Sequence, residues 1–84
     1  MTRLWPQGEE IEVVQDGHGL PLAFTWQGRR HDVAHLTQQW RVDAGWWHDH
    51  IRRAYYKLST HTGLLVVLYH TLPDGPWYLQ RLYD

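Results

Sequence analysis

Leu22-Ala23-Phe24-Thr25-Trp26-Gln27 alternates large apolar side chains with smaller or polar ones. A period of two belongs to a strand that buries one face, and this is the clearest such stretch in the chain. Gln27-Gly28-Arg29-Arg30 follows as a tight turn, and Asp16-Gly17-His18-Gly19 precedes as another. Between Glu9 and the first of these turns, Ile11 and Val13 alternate with Glu10 and Glu12, so residues 10–15 read as a half-exposed strand.

Downstream the same punctuation continues. A strand through Val33 and Leu36 is expected to run, bent or bulged, to Trp40 and Val42. Val33 and His35 fall on one face of a regular strand, and Ala34 and Leu36 on the other, so a bulge is needed to keep the apolar side chains together. Ala44-Gly45-Trp46-Trp47-His48-Asp49-His50 interrupts the pattern and reads as a loop or a single helical turn near residues 44–52. A strand resumes from Arg53 to Ser59, with Tyr55 and Tyr56 on opposite faces. His61-Thr62-Gly63 turns the chain into Leu64-Leu65-Val66-Val67-Leu68-Tyr69, apolar on both faces and expected to be the most buried strand. Pro73-Asp74-Gly75-Pro76 closes a hairpin, and Trp77–Tyr83 makes the last strand.

About six short strands joined by tight turns, with almost no helical periodicity, predict an all-β, mainly antiparallel domain. A small barrel is the first choice over a strongly curved sheet, because closure removes exposed edges. The 84 residues make one domain, with residues 1–9 expected to be flexible. Folding at this size removes roughly 60 to 65% of the unfolded chain's surface from water. The six Trp, five Tyr and one Phe are therefore the main source of core area. No cysteine is present, which excludes a disulfide framework and a thiolate metal site. Met1-Thr2-Arg3-Leu4-Trp5-Pro6 lacks the apolar run of a signal peptide, and no stretch approaches the length of a membrane span, so a cytoplasmic location is expected.

The net charge of −1 hides an asymmetry. Residues 1–16 carry −3, and residues 29–57 carry +3. Within the basic stretch, Trp40-Arg41, Trp46-Trp47, Arg52-Arg53, Tyr55-Tyr56 and Lys57 alternate flat rings with cations. Binders of single-stranded nucleic acid use rings for base stacking and cations that follow the phosphates. The same residues serve equally as core and rim of a small domain, where Arg over an aromatic ring is an ordinary contact. The candidate binding residues are Arg29, Arg30, Trp40, Arg41, Arg52, Arg53 and Lys57.

Catalytic chemistry has little to build on. There is no nucleophile beside a base, no glycine-rich phosphate loop, and the only serine, Ser59, lies in an expected strand. His48-Asp49-His50 places two imidazoles two residues apart, but a closed zinc site needs further ligands, and no familiar spacing supplies them. A metal-dependent hydrolase on Asp43, His48, Asp49 and His50 is the least favoured reading, and no cofactor, metal or catalytic residue is expected.

Trp40-Arg41-Val42-Asp43-Ala44-Gly45-Trp46-Trp47, followed by Arg53-Ala54-Tyr55-Tyr56-Lys57-Leu58, resembles the domain at the C-terminus of ImuB-type proteins. These are Y-family polymerase relatives found in bacterial mutagenesis cassettes. The likeness continues through Thr62-Gly63-Leu64-Leu65 and Leu68-Tyr69 to Trp77-Tyr78-Leu79-Gln80-Arg81-Leu82-Tyr83-Asp84, and upstream through residues 21–30. It covers about residues 20–84, and similar domains occur as small free-standing bacterial proteins of unknown function. The resemblance implies a place in translesion synthesis or damage-induced mutagenesis, as a non-catalytic adaptor without polymerase activity. It also implies that Trp46, Trp47, Tyr55, Tyr56, Trp77 and Tyr83 are shared core positions, with Arg52 and Arg53 less fixed. The expected function is a non-enzymatic interaction domain whose partner is a protein of a repair or replication complex. Single-stranded nucleic acid is the alternative ligand, and a homo-oligomer is a further candidate assembly.

Overall fold

The computed structural model describes residues 2–46 and 49–83. Six strands follow one another: β1 (Arg3–Gln15), β2 (Pro21–Trp26), β3 (Arg29–Trp46), β4 (Asp49–Thr60), β5 (Leu65–Thr71) and β6 (Trp77–Tyr83). Each is antiparallel to the next, and β1 pairs with β6 to close the ring. The expected barrel of six strands is the fold found.

Several strands differ in extent from the sequence reading. β1 begins at Arg3, because Arg3 and Leu4 pair with Leu82 and Arg81 before the ladder shifts and resumes at Glu9. Pro6 and Gly8 occupy that irregularity, where a residue without a ladder partner is tolerated. The helical turn expected near residues 44–52 is corrected to strand at residues 44–46 and 49–52, since β3 and β4 keep pairing to Trp46 opposite Asp49. The two strands project past β5, whose pairing with β4 starts only at Arg53 opposite Thr71. Leu22 does not join Phe24 and Trp26 inside. Val14 pairs with Ala23 and Gln15 with Pro21, so Leu22 is the extra residue of a bulge and is 50% exposed.

The bulge required in β3 is present, with register shifts between Val33 and His35 and between Leu36 and Gln38. Both Val33 and Leu36 consequently pack against the interior. That interior is filled by Phe24, Leu58, Val66, Leu68 and Leu79, all fully buried. Tyr56 and His70 both stack on Trp77, with ring centroids 5.4 and 4.4 Å apart. β5 is buried along nearly its whole length, as its two apolar faces require.

Two imidazoles lie in this interior. His31 stacks on Phe24 at 5.2 Å, and its Nδ1 lies 2.6 Å from Thr62 Oγ1. Thr60 Oγ1 links Thr62 Oγ1 (2.8 Å) to the Leu64 amide, which donates to it at 3.0 Å. This chain of donors is complete with a neutral His31. Burial lowers the pKa of His31, helped by the positive charge of Arg29. Burial also lowers that of His70, against the opposing pull of a Gly75 main-chain hydrogen bond and the Asp74 carboxylate.

A lowered folded pKa means that the unfolded chain binds more protons in the window below the ordinary imidazole value of about 6.5. Stability is therefore full above about pH 6.5 and declines as the pH falls through that value. Urea midpoints at about pH 7.5 and about pH 5 should show the drop, and His70→Phe, which keeps the ring on Trp77, should flatten it. An unchanged slope in that variant would remove His70 as a cause.

Candidate functional site

On β4, β5 and β6 the residues that do not face the interior are also largely apolar. Tyr55, Val67 and Tyr69 form a second buried cluster, flanked by Val42, Tyr78 and Tyr83. Tyr55 and Tyr56 thus belong to opposite faces of the sheet, as their adjacency requires. The ladder sets Trp40 opposite Tyr55, Tyr55 opposite Tyr69, and Tyr69 opposite Tyr78. Four rings therefore form one row across four strands. Their centroids are 5.2, 5.3 and 4.9 Å apart, with Trp40 and Tyr55 inclined by only 6°.

Cations lie on these rings. The Arg53 guanidinium sits 4.5 Å from the Tyr69 centroid, and its Nη1 donates to the Tyr55 hydroxyl at 3.3 Å. That hydrogen bond, more than any other influence, raises the Arg53 pKa. Lys57 Nζ is 4.9 Å from the Tyr83 centroid, and the Arg81 guanidinium is 5.6 Å from the same ring. A register shift between Val67 and Leu68 against β6 sets Arg81 opposite Val67. Among the described residues, none of these three cations has a carboxylate partner. Glu10 and Glu12 lie on β1, three places round the six-stranded ring from β4.

The start of β1 covers one end of the row. Tyr69 Oη donates to the Gln7 carbonyl at 2.6 Å, and burial raises the Tyr69 pKa. Gly8 adopts φ +83°, and a Cβ there would lie 2.7 Å from the Tyr78 Cβ. Between this arch and the start of β4 runs an open groove of ≈ 550 Å³, walled by Ile51, Arg52, Arg53, Leu72, Tyr78 and Gly8 among others.

Of the residues singled out from sequence, Trp40, Arg53 and Lys57 share this outer face. Arg41 lies on the other face of β3, near Tyr56, whose pKa burial raises against the opposing positive charge of Arg41. Arg52 faces Asp43 across the β3–β4 hairpin at 4.0 Å and lines the end of the groove. Arg29 and Arg30 stand at the β2–β3 turn, the far end of β3 from that hairpin, and Arg30 pairs with Asp32 at 2.9 Å. They are not part of the surface. The side chains of His48, Asp49 and His50 lie outside the described residues, as do those of Trp46 and Trp47. Tyr69, Tyr78, Arg81 and Tyr83 complete the face; none of them was among the candidate binding residues, and Tyr83, which the resemblance implied as a core position, lies half-buried against the outer cluster. Tyr69 shares a face with Val67 two positions before it on β5, whereas the irregularity in β6 hides Arg81 and Tyr83 from a period-two reading.

A family model described as a domain of unknown function (DUF6504) matches residues 4–84. The chain belongs to the DUF6504 family. The match includes β2–β6 entire and β1 from Leu4, so the row of rings and the arch over it are parts of the DUF6504 domain. No curated protein and no solved structure matches the chain. No helix among the described residues is long and apolar enough to cross a membrane.

The arch gives a direct test of how the DUF6504 face is held. Gly8→Ala combines a positive φ with a clash against Tyr78 and should cost about 2 to 4 kcal/mol. Gly28→Ala, where φ is +74° and the added methyl meets open space, should cost about 1 kcal/mol. Equal losses in chemical denaturation would mean that the Gly8 contact does not constrain the surface.

Proposed function

We propose that this domain is a non-enzymatic interaction module of the bacterial cytoplasm and that it engages its partner through the outer face of β3–β6. The observation that carries the reading is the set of three cations, Arg53, Lys57 and Arg81, placed over aromatic rings with no carboxylate partner among the described residues. Such cations are pre-positioned and lose little freedom on meeting an anion. Next to them the groove offers Ile51, 43% exposed, and Leu72. The matching partner is a protein surface that presents carboxylates beside an apolar side chain. The resemblance of residues 20–84 to ImuB-type C-terminal domains supports a component of a DNA repair or translesion complex as that partner.

The cation set also favours a second reading, direct binding of single-stranded DNA. Against it, the rings of the row already use their faces on one another, and only Trp40, at 38%, is well exposed. Stacking of successive bases needs free ring faces.

Fluorescence anisotropy with labelled single-stranded and duplex DNA separates the two. The adaptor reading expects no binding at about tens of micromolar, whereas three phosphate contacts would give an affinity whose logarithm falls with log salt at a slope of about −2. The companion measurement is affinity capture from bacteria after DNA damage. Arg53→Glu, Lys57→Glu and Arg81→Glu combined should abolish capture of repair or replication proteins, while Arg30→Glu, away from the face, should leave it intact. Capture that survives the triple reversal would overturn the assignment of the surface.

A further inference from the structure

β3 pairs with β2 only from Arg29 to Asp32, and from Val33 onward its partner is β4 alone. From Gln38 to Trp46 the β3–β4 register runs without a shift, while among the described residues no other strand lies along the second edge of β3. The side chains from Thr37 to Ala44 are exposed except for half-buried Val42. From Gln38 to Trp46 the strand contains no proline, lysine or bulge, three of the devices that blunt an open edge.

The direction of its main-chain groups follows from one hydrogen bond. The Leu72 amide donates to the Arg52 carbonyl at 2.9 Å, so Arg52 turns its main-chain groups away from β3. Asp43, opposite Arg52, is then a non-hydrogen-bonded partner in the β3–β4 ladder, and its own N–H and C=O point to the free edge. By alternation the same holds for Gln39, Arg41 and Gly45.

We propose that this edge is a homodimer interface, in which β3 of two copies pairs antiparallel about a twofold axis at Val42. The register puts Arg41 of each copy opposite Asp43 of the other, Gln39 opposite Gly45, and Trp40 opposite the small Ala44. The outward-pointing residues meet one another, giving about eight main-chain hydrogen bonds. An axis at Arg41 or Asp43 would set like charges face to face, and only an axis at Val42 sets Arg41 opposite Asp43. Pairing joins the sheets of the two copies edge to edge and brings the two outer faces side by side. The argument uses the edge of β3 and does not rest on the partner proposed for the outer face.

Sedimentation from about 1 to about 500 µM should show a reversible monomer–dimer equilibrium. Arg41→Asp should weaken the dimer by roughly tenfold or more, because two attractive cross-strand pairs become repulsive. Arg41→Asp combined with Asp43→Arg should restore it. Hydrogen exchange of the unaltered protein supplies a readout free of folding effects. The amides of Gln39, Arg41, Asp43 and Gly45 should gain protection as concentration rises, while those of Trp40, Val42 and Ala44 stay protected throughout. A monomer across the whole range, or a dimer indifferent to both charge variants with no concentration-dependent protection at these four amides, overturns the proposal.

Discussion

Closure of the ring through β1 is the constraint on which the rest of the structure depends. One edge of this strand pairs with β6 from Arg3 to Ile11, and the other with β2 from Glu12 to Gln15. The same strand lends Ile11 to the core and packs Trp5 and Val13 against it. Trp26 is held there by its indole N–H, which donates to Glu9 at 2.9 Å, and by the Arg3 guanidinium over its ring. Without β1 the apolar side of β2 and β6 would face water. Its irregular stretch around Gly8 also lets the strand pass over Tyr69 and Tyr78, so closure and the shape of the outer face have a common origin.

A sheet this small rarely carries apolar residues on both sides, because water outside the ring penalises the second face. Here the penalty is reduced in two ways. The Gln7-Gly8 arch and the Arg53 guanidinium cover Tyr69, and the stems and charged ends of Lys57 and Arg81 cover Tyr83. What is left open is concentrated at β3, where Trp40 sits at the end of the row and the long hairpin outruns its neighbours. The outer face and the edge of β3 that, among the described residues, no other strand lines therefore meet on one strand.

Charge is segregated along the same lines. Glu10 and Glu12 on β1 are placed across the ring from Arg52, Arg53 and Lys57 on β4. The acidic start of the chain pairs with β2 and β6 and leaves the basic side chains of β4 unmasked. An anionic partner approaching from the β4 side meets the positive end of this polarity first.

Local sequence by itself determined the all-β class, the turns at Asp16–Gly19 and Pro73–Pro76, the bounds of β6, the bulge after Val33 and the opposite orientation of Tyr55 and Tyr56, and it favoured a barrel over a curved sheet. These features follow from period-two alternation and turn chemistry, which act over a few residues. Trp40, Arg53 and Lys57 were visible as members of a ring-and-cation pattern for the same reason. Their union with Tyr69, Tyr78, Arg81 and Tyr83 was decided only by strand register, which along the row of rings pairs residues 9 to 15 positions apart and is displaced by irregularities in β1, β3 and β6. Arg41 is excluded because a neighbour of Trp40 along β3 is on the other side of the sheet, and Arg29 and Arg30 because they stand at the far end of that long strand. The extension of β3 through residues 44–46 and of β4 through residues 49–52, and the open edge this leaves, also arose in tertiary structure. They depend on where β2 and β5 stop pairing, and nothing within residues 44–52 encodes that.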